Sequence, residues 1–193
     1  WLGGEVGIGV SKTFTRQDFI DDSFKPKLGF DISARAEYLI NDWLYVGSGL
    51  GYQRLSDAFG PFELRPADDY DPILEDLDDE IQLVYYYHAL KIPISVDFYL
   101  LKRVTLGIGL NNNIFLSRAL KVKDSNESNS NENDTEDYKK YYPSYSVTAG
   151  YDLLSKENYK LNIKGFYEYS ANAIDEGGTA HFQYYGLRTA FMF

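Results

Sequence analysis

In the segment PKLGFDISARAEYLI, residues 26–40, apolar and polar side chains alternate along the chain. Phe30 and Ile32 fall on one parity, and Asp31 and Ser33 fall on the other. A repeat of two residues predicts a β-strand with one apolar and one polar face. Either the apolar face packs into the core of a soluble protein, or it faces lipid and the polar face lines the inside of a membrane barrel.

Seven further segments alternate in the same way, and the connections between them are short and long in turn. Long loops at one end and tight turns at the other are typical of an outer-membrane barrel. The pattern predicts an all-β fold, an eight-stranded antiparallel up-and-down transmembrane β-barrel that forms a single domain over residues 1–193. Both chain ends are then periplasmic, and the loops around residues 57–80 and 118–140 are extracellular. The predicted strands are residues 1–15, 26–40, 43–55, 81–99, 104–117, 141–153, 159–170 and 181–193.

The placement of glycine indicates which face points inward. A solvated face has no reason to collect glycine, which weakens strands, whereas a narrow lumen needs small residues beside long charged side chains. No run of apolar residues is long enough for a transmembrane helix, and no predicted helix is available to cover the apolar face. We therefore expect the apolar face to meet lipid. A soluble lipocalin-like barrel is the main alternative fold. The glycines on the polar parity are Gly7, Gly9, Gly47, Gly49, Gly51, Gly107, Gly109 and Gly150.

Charged residues on the polar parity are predicted to form a network inside the barrel. Isolated charges are costly in such a place, so Arg35 and Arg188 are expected to pair with acidic neighbours. Eight strands leave an interior that side chains just fill, which favours a closed barrel over a small porin-like channel. The predicted network comprises Asp31, Arg35, Glu37, Lys91, Asp97, Lys164, Glu168 and Arg188, and Glu5 and Lys160 share its parity.

Aromatic residues cluster near both ends of the predicted strands. Two such clusters are typical of the two interfaces of a membrane barrel, where aromatic rings lie at the level of the lipid headgroups. Trp1, Tyr38, Trp43 and Tyr45 lie near the short turns, and Tyr85, Tyr86, Tyr87, Tyr141, Tyr142, Tyr169, Tyr184 and Tyr185 lie near the long loops.

The composition argues against several functions. The chain has no cysteine, so a thiolate metal site and a cysteine nucleophile are excluded. The net charge of −10 argues against a nucleic-acid partner. A lipid hydrolase would need Ser, His and a carboxylate together, but only His88 and His181 exist and no G-x-S-x-G occurs. We predict that the chain is not an enzyme and has no cofactor. A lipid-modifying outer-membrane enzyme stays open as an alternative.

An acidic segment precedes the fourth predicted strand. Residues 57–80 carry ten carboxylates and Arg65, a net charge of −9. Interleaved apolar residues suggest a contact surface for an envelope protein partner, and the oxygen ligands suit a divalent cation such as Ca²⁺. A mobile acidic loop that packs its aromatic residues on the barrel rim explains the segment equally well. Residues 124–137 are predicted to be disordered. The candidate cation ligands are Asp68, Asp69, Asp71, Glu75, Asp76, Asp78, Asp79 and Glu80.

Three stretches carry a family resemblance. The last, YYGLRTAFMF, resembles the C-terminal signal that outer-membrane barrels present to their assembly machinery, and ALKIPISVDFYL resembles an L-x-I-P strand of the small, porin-like outer-membrane β-barrel family common in Bacteroidota. PKLGFDISARAEYLINDWLYVGSGLGYQ is similar to the first hairpin of that family. The resemblance implies a location in the Gram-negative outer membrane and contact with its lipid. It implies no catalytic residue, which leaves a structural or interaction role, such as an accessory subunit of an envelope complex.

Overall fold

A computed structural model describes residues 1–15, 24–63, 80–123, 132–133, 139–174 and 180–193. The described chain is built of antiparallel strands, and it contains no helix that is long and apolar enough to cross a membrane. The strands are β1 Leu2–Thr15, β2 Phe24–Asn41, β3 Leu44–Glu63, β4 Glu80–Tyr99, β5 Val104–Lys123, β6 Glu132–Asn133, β7 Tyr141–Ser155, β8 Lys160–Ser170 and β9 Ala180–Met192.

Eight of these strands close into a barrel. Each pairs with its neighbour in the sequence, β1 pairs with β9, and β4 pairs with β5, so that the sheet has no free edge among these eight. The two-residue β6 adds to β5 outside the ring. The predicted fold, an eight-stranded antiparallel barrel, is confirmed. Tight turns join β2 to β3, β4 to β5 and β7 to β8, and we call this end of the barrel the turn end and the opposite end the loop end.

Side chains alternate between the interior and the outer wall along most of each barrel strand, although Leu55–Ala58 of β3 are all buried. On β8, residues 160, 162, 164, 166, 168 and 170 are buried and the residues between them are more exposed. The outer wall is apolar over most of its height, with Leu50 at 55% and Ile108 at 58% exposed. Since a water-facing wall of large apolar side chains on this scale is costly, the wall needs an apolar surrounding.

Two strands, β3 and β5, extend well beyond the ends that the sequence pattern predicts. β3 continues from the predicted end at Leu55 to Glu63, and β5 continues from Ser117 to Lys123. The prediction that Asp57 belongs to an acidic loop is therefore wrong, because it lies in β3 with its side chain buried. In these added residues of β3 and β5 the chain no longer alternates between small and apolar residues, so the sequence pattern alone does not predict the extensions.

The predicted disordered segment and the cation ligands lie mostly outside the described residues. Within residues 124–137, the backbone of Glu132–Asn133 pairs with β5. Of the candidate cation ligands, only the backbone of Glu80 is described, at the start of β4. Whether the acidic segment holds a cation or meets a partner stays a prediction.

Candidate functional site

The interior of the barrel contains a charge-balanced layer, which we call the charged layer. It joins five acidic and five basic side chains from β1, β2, β4, β8 and β9, and each is at most 9% exposed. All eight residues of the predicted network are in this layer, together with Glu5 and Lys160. Its members are Glu5, Asp31, Arg35, Glu37, Lys91, Asp97, Lys160, Lys164, Glu168 and Arg188.

Arg35 connects three carboxylates in the centre of the charged layer. Its Nη1 lies 3.0 Å from Glu5 Oε2, its Nη2 lies 2.8 Å from Asp97 Oδ2, and its Nε lies 3.0 Å from Glu37 Oε1. Lys164 Nζ, at 3.0 Å, binds the other oxygen of Asp97. Every carboxylate that Arg35 contacts is thereby neutralised inside the barrel, which is the condition for keeping charges away from water.

Arg188 occupies the corresponding position nearer the loop end. Its Nε and Nη2 both lie 3.2 Å from oxygens of Asp31, and Nη2 lies 3.1 Å from Glu168 Oε2. Lys91 Nζ binds the same Glu168 oxygen at 2.6 Å, and Ser144 Oγ donates to the other oxygen at 2.6 Å. Glu168 is thus fully buried and fully satisfied. The predicted partners of both arginines, Asp31, Glu37 and Glu168, are among the residues that they contact.

Glycines lie beside the charged side chains. Asp97 is paired across the sheet with Gly107, and Lys164 with Gly150. A Cβ added to Gly150 would come within 2.7 Å of Lys164 Cγ. The strands β3, β5 and β7 therefore supply room into which side chains from the other strands extend.

An aromatic layer fills the interior between the charged layer and the loop end. Phe166 and Tyr184 meet edge to face at 4.7 Å between centroids, and so do Tyr142 and Phe182 at 5.4 Å. The Arg188 guanidinium carbon lies 3.8 Å from the centre of the Phe166 ring, so the two layers are in contact. The buried apolar side chains here are Leu55, Tyr87, Ala89, Tyr142, Phe166, Ile174, Phe182 and Tyr184.

The aromatic layer corrects part of the predicted interfacial belts. The sequence places Tyr87, Tyr142 and Tyr184 at the outer interface, but their side chains are buried inside the barrel. At the turn end, Tyr45 likewise faces the interior, and the centre of its ring lies 4.9 Å from Lys160 Nζ. Tyr38 and Trp43, by contrast, are exposed on the wall. Alternation could have identified Tyr142 and Tyr184, which share the parity of Ser144 and Arg188.

Little free volume remains in the charged layer. A cavity of about 30 Å³ lies among side chains that include Asp31, Arg35, Lys91, Asp97 and Lys164. That volume has room for one or two water molecules and not for a continuous column of water. At the turn end the interior widens into an open cavity of about 580 Å³, lined in part by Trp1, Tyr99, Arg103 and Lys160.

Among the described residues, neither histidine is hydrogen bonded to a carboxylate. His88 lies on the outer wall, where its Nδ1 is hydrogen bonded to the Tyr52 hydroxyl. His181 stacks between Phe14 and Tyr169, and its Nδ1 lies 3.5 Å from Ser170 Oγ. The described contacts of this Ser–His pair include no carboxylate. Among the residues described, no group of three or more His, Cys, Asp or Glu side chains is placed to hold a metal ion.

Asp57 is a buried carboxyl near the loop end, beyond the apolar part of the wall. Burial raises its pKa from 3.8 to about 6, and the neighbouring Thr13, Tyr87 and Arg118 offset the effect only in part. Because its pKa is raised on folding, the Asp57 carboxyl holds its proton more tightly in the folded protein than in the unfolded chain. The free energy of unfolding therefore falls as pH rises from about 4 to about 6, and it stays lower above that window.

Asp57→Asn is therefore expected to stabilise the barrel at pH 8 by on the order of 2–3 kcal/mol, and to have little effect at pH 4. Urea unfolding in lipid vesicles at the two pH values measures the difference. A stabilisation that is the same at both pH values would show that ionisation of Asp57 is not its cause.

Comparison with known proteins gives the fold. No family model matches the chain, and no curated protein matches it. Among solved structures, neisserial surface protein A is 13% identical, with 100% of this chain and 97% of that chain covered and a TM-score of 0.52. The attachment invasion locus protein Ail of Yersinia pestis is 16% identical, with 100% and 97% covered and a TM-score of 0.48. OprG, an outer membrane protein of Pseudomonas aeruginosa, is 10% identical, with 98% and 92% covered and a TM-score of 0.27.

Proposed function

We propose that the chain is a barrel of the Gram-negative outer membrane with a structural or interaction role, as in an accessory subunit of a larger envelope complex, and that it is neither an open channel nor an enzyme. The filled interior is the observation that carries this proposal. The charged layer and the aromatic layer together occupy the section of the barrel through which an ion would have to pass.

The apolar wall supports the membrane location. Its exposed side chains extend around the barrel, with Ile8 on β1, Leu50 on β3, Val147 on β7 and Leu187 on β9 each more than half exposed. The fold shared with neisserial surface protein A supports the same location, as does the resemblance to the porin-like family of Bacteroidota. In this orientation the loop end faces the cell exterior.

The interaction role rests on what the barrel presents outside its wall. The acidic segment before β4 concentrates most of the net charge of the chain in one place. Such a segment can attract a basic protein surface or a divalent cation. A filled lumen leaves the wall and the loops as the surfaces on which a partner or a ligand can act.

Purified protein refolded into planar lipid bilayers is expected to produce no discrete conductance steps, because the side chains of the interior leave no continuous water path. Folding is checked by the heat-dependent shift in electrophoretic mobility, and a large-lumen porin in the same bilayers serves as the positive control. Reproducible single-channel steps from folded protein would contradict the proposal and favour the small-channel alternative.

A further inference from the structure

The turn end of the barrel opens into a cavity of about 580 Å³, which we call the vestibule. Two of its tyrosines lie on the inward face, since Tyr45 is paired with Asp97 across the sheet and Tyr99 lies two residues after Asp97. Lys160 and Asp152 also point inward and are buried. The turn between β4 and β5 forms part of the rim. The vestibule is therefore a concave space inside the mouth of the barrel, with a volume typical of sites for small molecules.

The charged layer closes the inner end of the vestibule. Lys160 Nζ binds Glu37 Oε2 at 2.5 Å, and Glu37 Oε1 lies 3.0 Å from Arg35 Nε. A ligand that enters from the turn end thus meets a floor of paired charges and does not pass through the barrel. The vestibule is a blind pocket, which is compatible with a filled lumen, and it is a surface additional to the wall and the loops.

Three aromatic rings line the vestibule around one ammonium group. Lys160 Nζ lies 4.9 Å from the centre of the Tyr45 ring and 5.7 Å from that of the Tyr99 ring. It lies 5.8 Å from the centre of the Trp1 ring. The Tyr45 and Tyr99 rings are 4.9 Å apart between centroids and are tilted by 45°. Because the rings pack against the ammonium and against each other, they form an apolar surface that exists before a ligand binds.

Polar groups at the floor of the vestibule have unused hydrogen-bonding capacity. The Tyr99 hydroxyl donates to Asp152 Oδ2 at 3.0 Å, and Asn162 Nδ2 donates to Asp152 Oδ1 at 2.6 Å. Among the described residues, the Lys160 ammonium is hydrogen bonded to Glu37 and Tyr99, which use two of its three donors. Each carboxylate oxygen of Asp152 can accept a second hydrogen bond. The floor therefore offers a donor and acceptors in a fixed arrangement.

The vestibule has no net charge. Its lining contains three cations and two carboxylates, which are Lys102, Arg103, Lys160, Asp42 and Asp152. Glu37, which is paired with Lys160, supplies the third carboxylate. An ion of either sign would gain no net attraction from this balance and would lose hydration on entry. The lining therefore suits a neutral ligand that has one apolar surface and several hydroxyl or amide groups.

We propose that the vestibule binds a neutral saccharide of one or two rings. A pyranose ring has a face of C–H groups, which packs on aromatic rings, and a rim of hydroxyl groups, which bind to polar side chains. In the vestibule the C–H face packs on Tyr45 and Trp1, and the hydroxyl groups accept from Lys160 and donate to Asp152. In the proposed orientation of the barrel, the saccharide enters from the periplasm.

The test uses the full chain refolded in micelles of a detergent that has no sugar headgroup. Isothermal titration calorimetry with N,N′-diacetylchitobiose, a neutral disaccharide, measures the association constant. In the Trp43→Phe background, saturable change in the fluorescence of Trp1 is expected, because Trp43 lies on the outer wall and Trp1 lines the vestibule. Tyr45→Ala is expected to lower the association constant at least tenfold. Tyr38→Ala, which removes an exposed tyrosine near the same end, is the matched control and is expected to change it less than twofold.

A second variant serves if Tyr45→Ala does not fold, which the heat-dependent mobility shift reveals. Ser155→Phe adds a ring at the mouth of the vestibule from an exposed position and leaves the floor unchanged, and it is expected to cause a loss of at least tenfold.

Four outcomes would overturn the proposal. The first is a wild type that does not bind the disaccharide, and the second is an equal loss in the vestibule variants and in Tyr38→Ala. The third is equal or tighter binding of the disaccharide of glucosamine, which has the same rings with ammonium groups and would show a site for cations. The fourth is tighter binding of inorganic phosphate, which would show a site for anions such as a lipid headgroup. Each of these results leaves the proposed function intact, because the conductance measurement tests that function separately.

Discussion

Replacing Arg188 with methionine is expected to lower the free energy of unfolding by about 3–5 kcal/mol, because it leaves buried carboxylates without their cation. Arg188 is 5% exposed and donates to both oxygens of Asp31 and to Glu168. Methionine fills much of the space beside the Phe166 ring, so the lost packing contributes less to the destabilisation than the lost positive charge does. Urea unfolding in lipid vesicles, followed by the fluorescence of Trp1 and Trp43, measures the change.

The double variant Arg188→Met/Asp31→Asn separates the charge from the volume of the side chain. Since Glu168 keeps its bond to Lys91, the second substitution removes the main unpaired charge, and we expect it to restore more than half of the lost stability. Lys102→Met, at an exposed position, should change stability by less than about 0.5 kcal/mol. A loss below about 1 kcal/mol in Arg188→Met would argue that water enters the charged layer and solvates Asp31.

The inward face of the barrel could be predicted because both faces carry a strong signal. Along a strand, charged residues repeat on one parity and large apolar residues on the other. This pattern defines the two faces and leaves open only which of them points inward. Arg35 and Glu37 on β2 and Lys164 and Glu168 on β8 all follow this rule, and the structure buries each of them. The glycines on the same parity decide the choice, because they have a purpose only in a crowded interior.

Other members of the aromatic layer, such as Tyr87, could not be predicted in the same way, because tyrosine and phenylalanine are common on both faces of a membrane barrel. In the run Tyr85, Tyr86, Tyr87 both parities are aromatic, so alternation carries no information there. The irregularity between His88 and Ala89 adds a second difficulty. Ala89 pairs with Phe115 and Tyr87 pairs with Arg118, so the inward parity of β5 changes within three residues. A bulge of this kind leaves no mark in the hydrophobic pattern.

Particular ion pairs also lie beyond what the sequence can specify. Parity places Arg35 and Asp97 on the inner face, but β3 separates their strands, and only the curvature of the closed barrel brings the side chains to 2.8 Å. The same holds for Lys160 and Glu37, which are 123 residues apart and bonded at 2.5 Å. Pairing across a lumen depends on strand number and stagger, which are properties of the whole sheet.

Gly107 provides the sharpest test of why glycine faces the interior. A Cβ at this position would overlap Asp97 Oδ1 and Thr148 Oγ1. Asp97 has little freedom to withdraw, because its two oxygens are held by Arg35 at 2.8 Å and by Lys164 at 3.0 Å. Gly107→Val is therefore expected to destabilise the barrel by about 3 kcal/mol or more, through overpacking and through weakened ion pairs.

Gly165→Val is the matched control, because this glycine faces the outer wall. A Cβ at this position would lie 3.8 Å from its nearest neighbour, the Ala149 carbonyl oxygen. Valine favours strands more than glycine does, so this variant is expected to be neutral or slightly more stable. Urea unfolding of the two variants in the same vesicles makes the comparison, and the heat-dependent mobility shift reports whether Gly107→Val folds at all. If Gly107→Val were as stable as Gly165→Val, the charged side chains would have room to move aside, and crowding in the lumen could not explain why glycines face it.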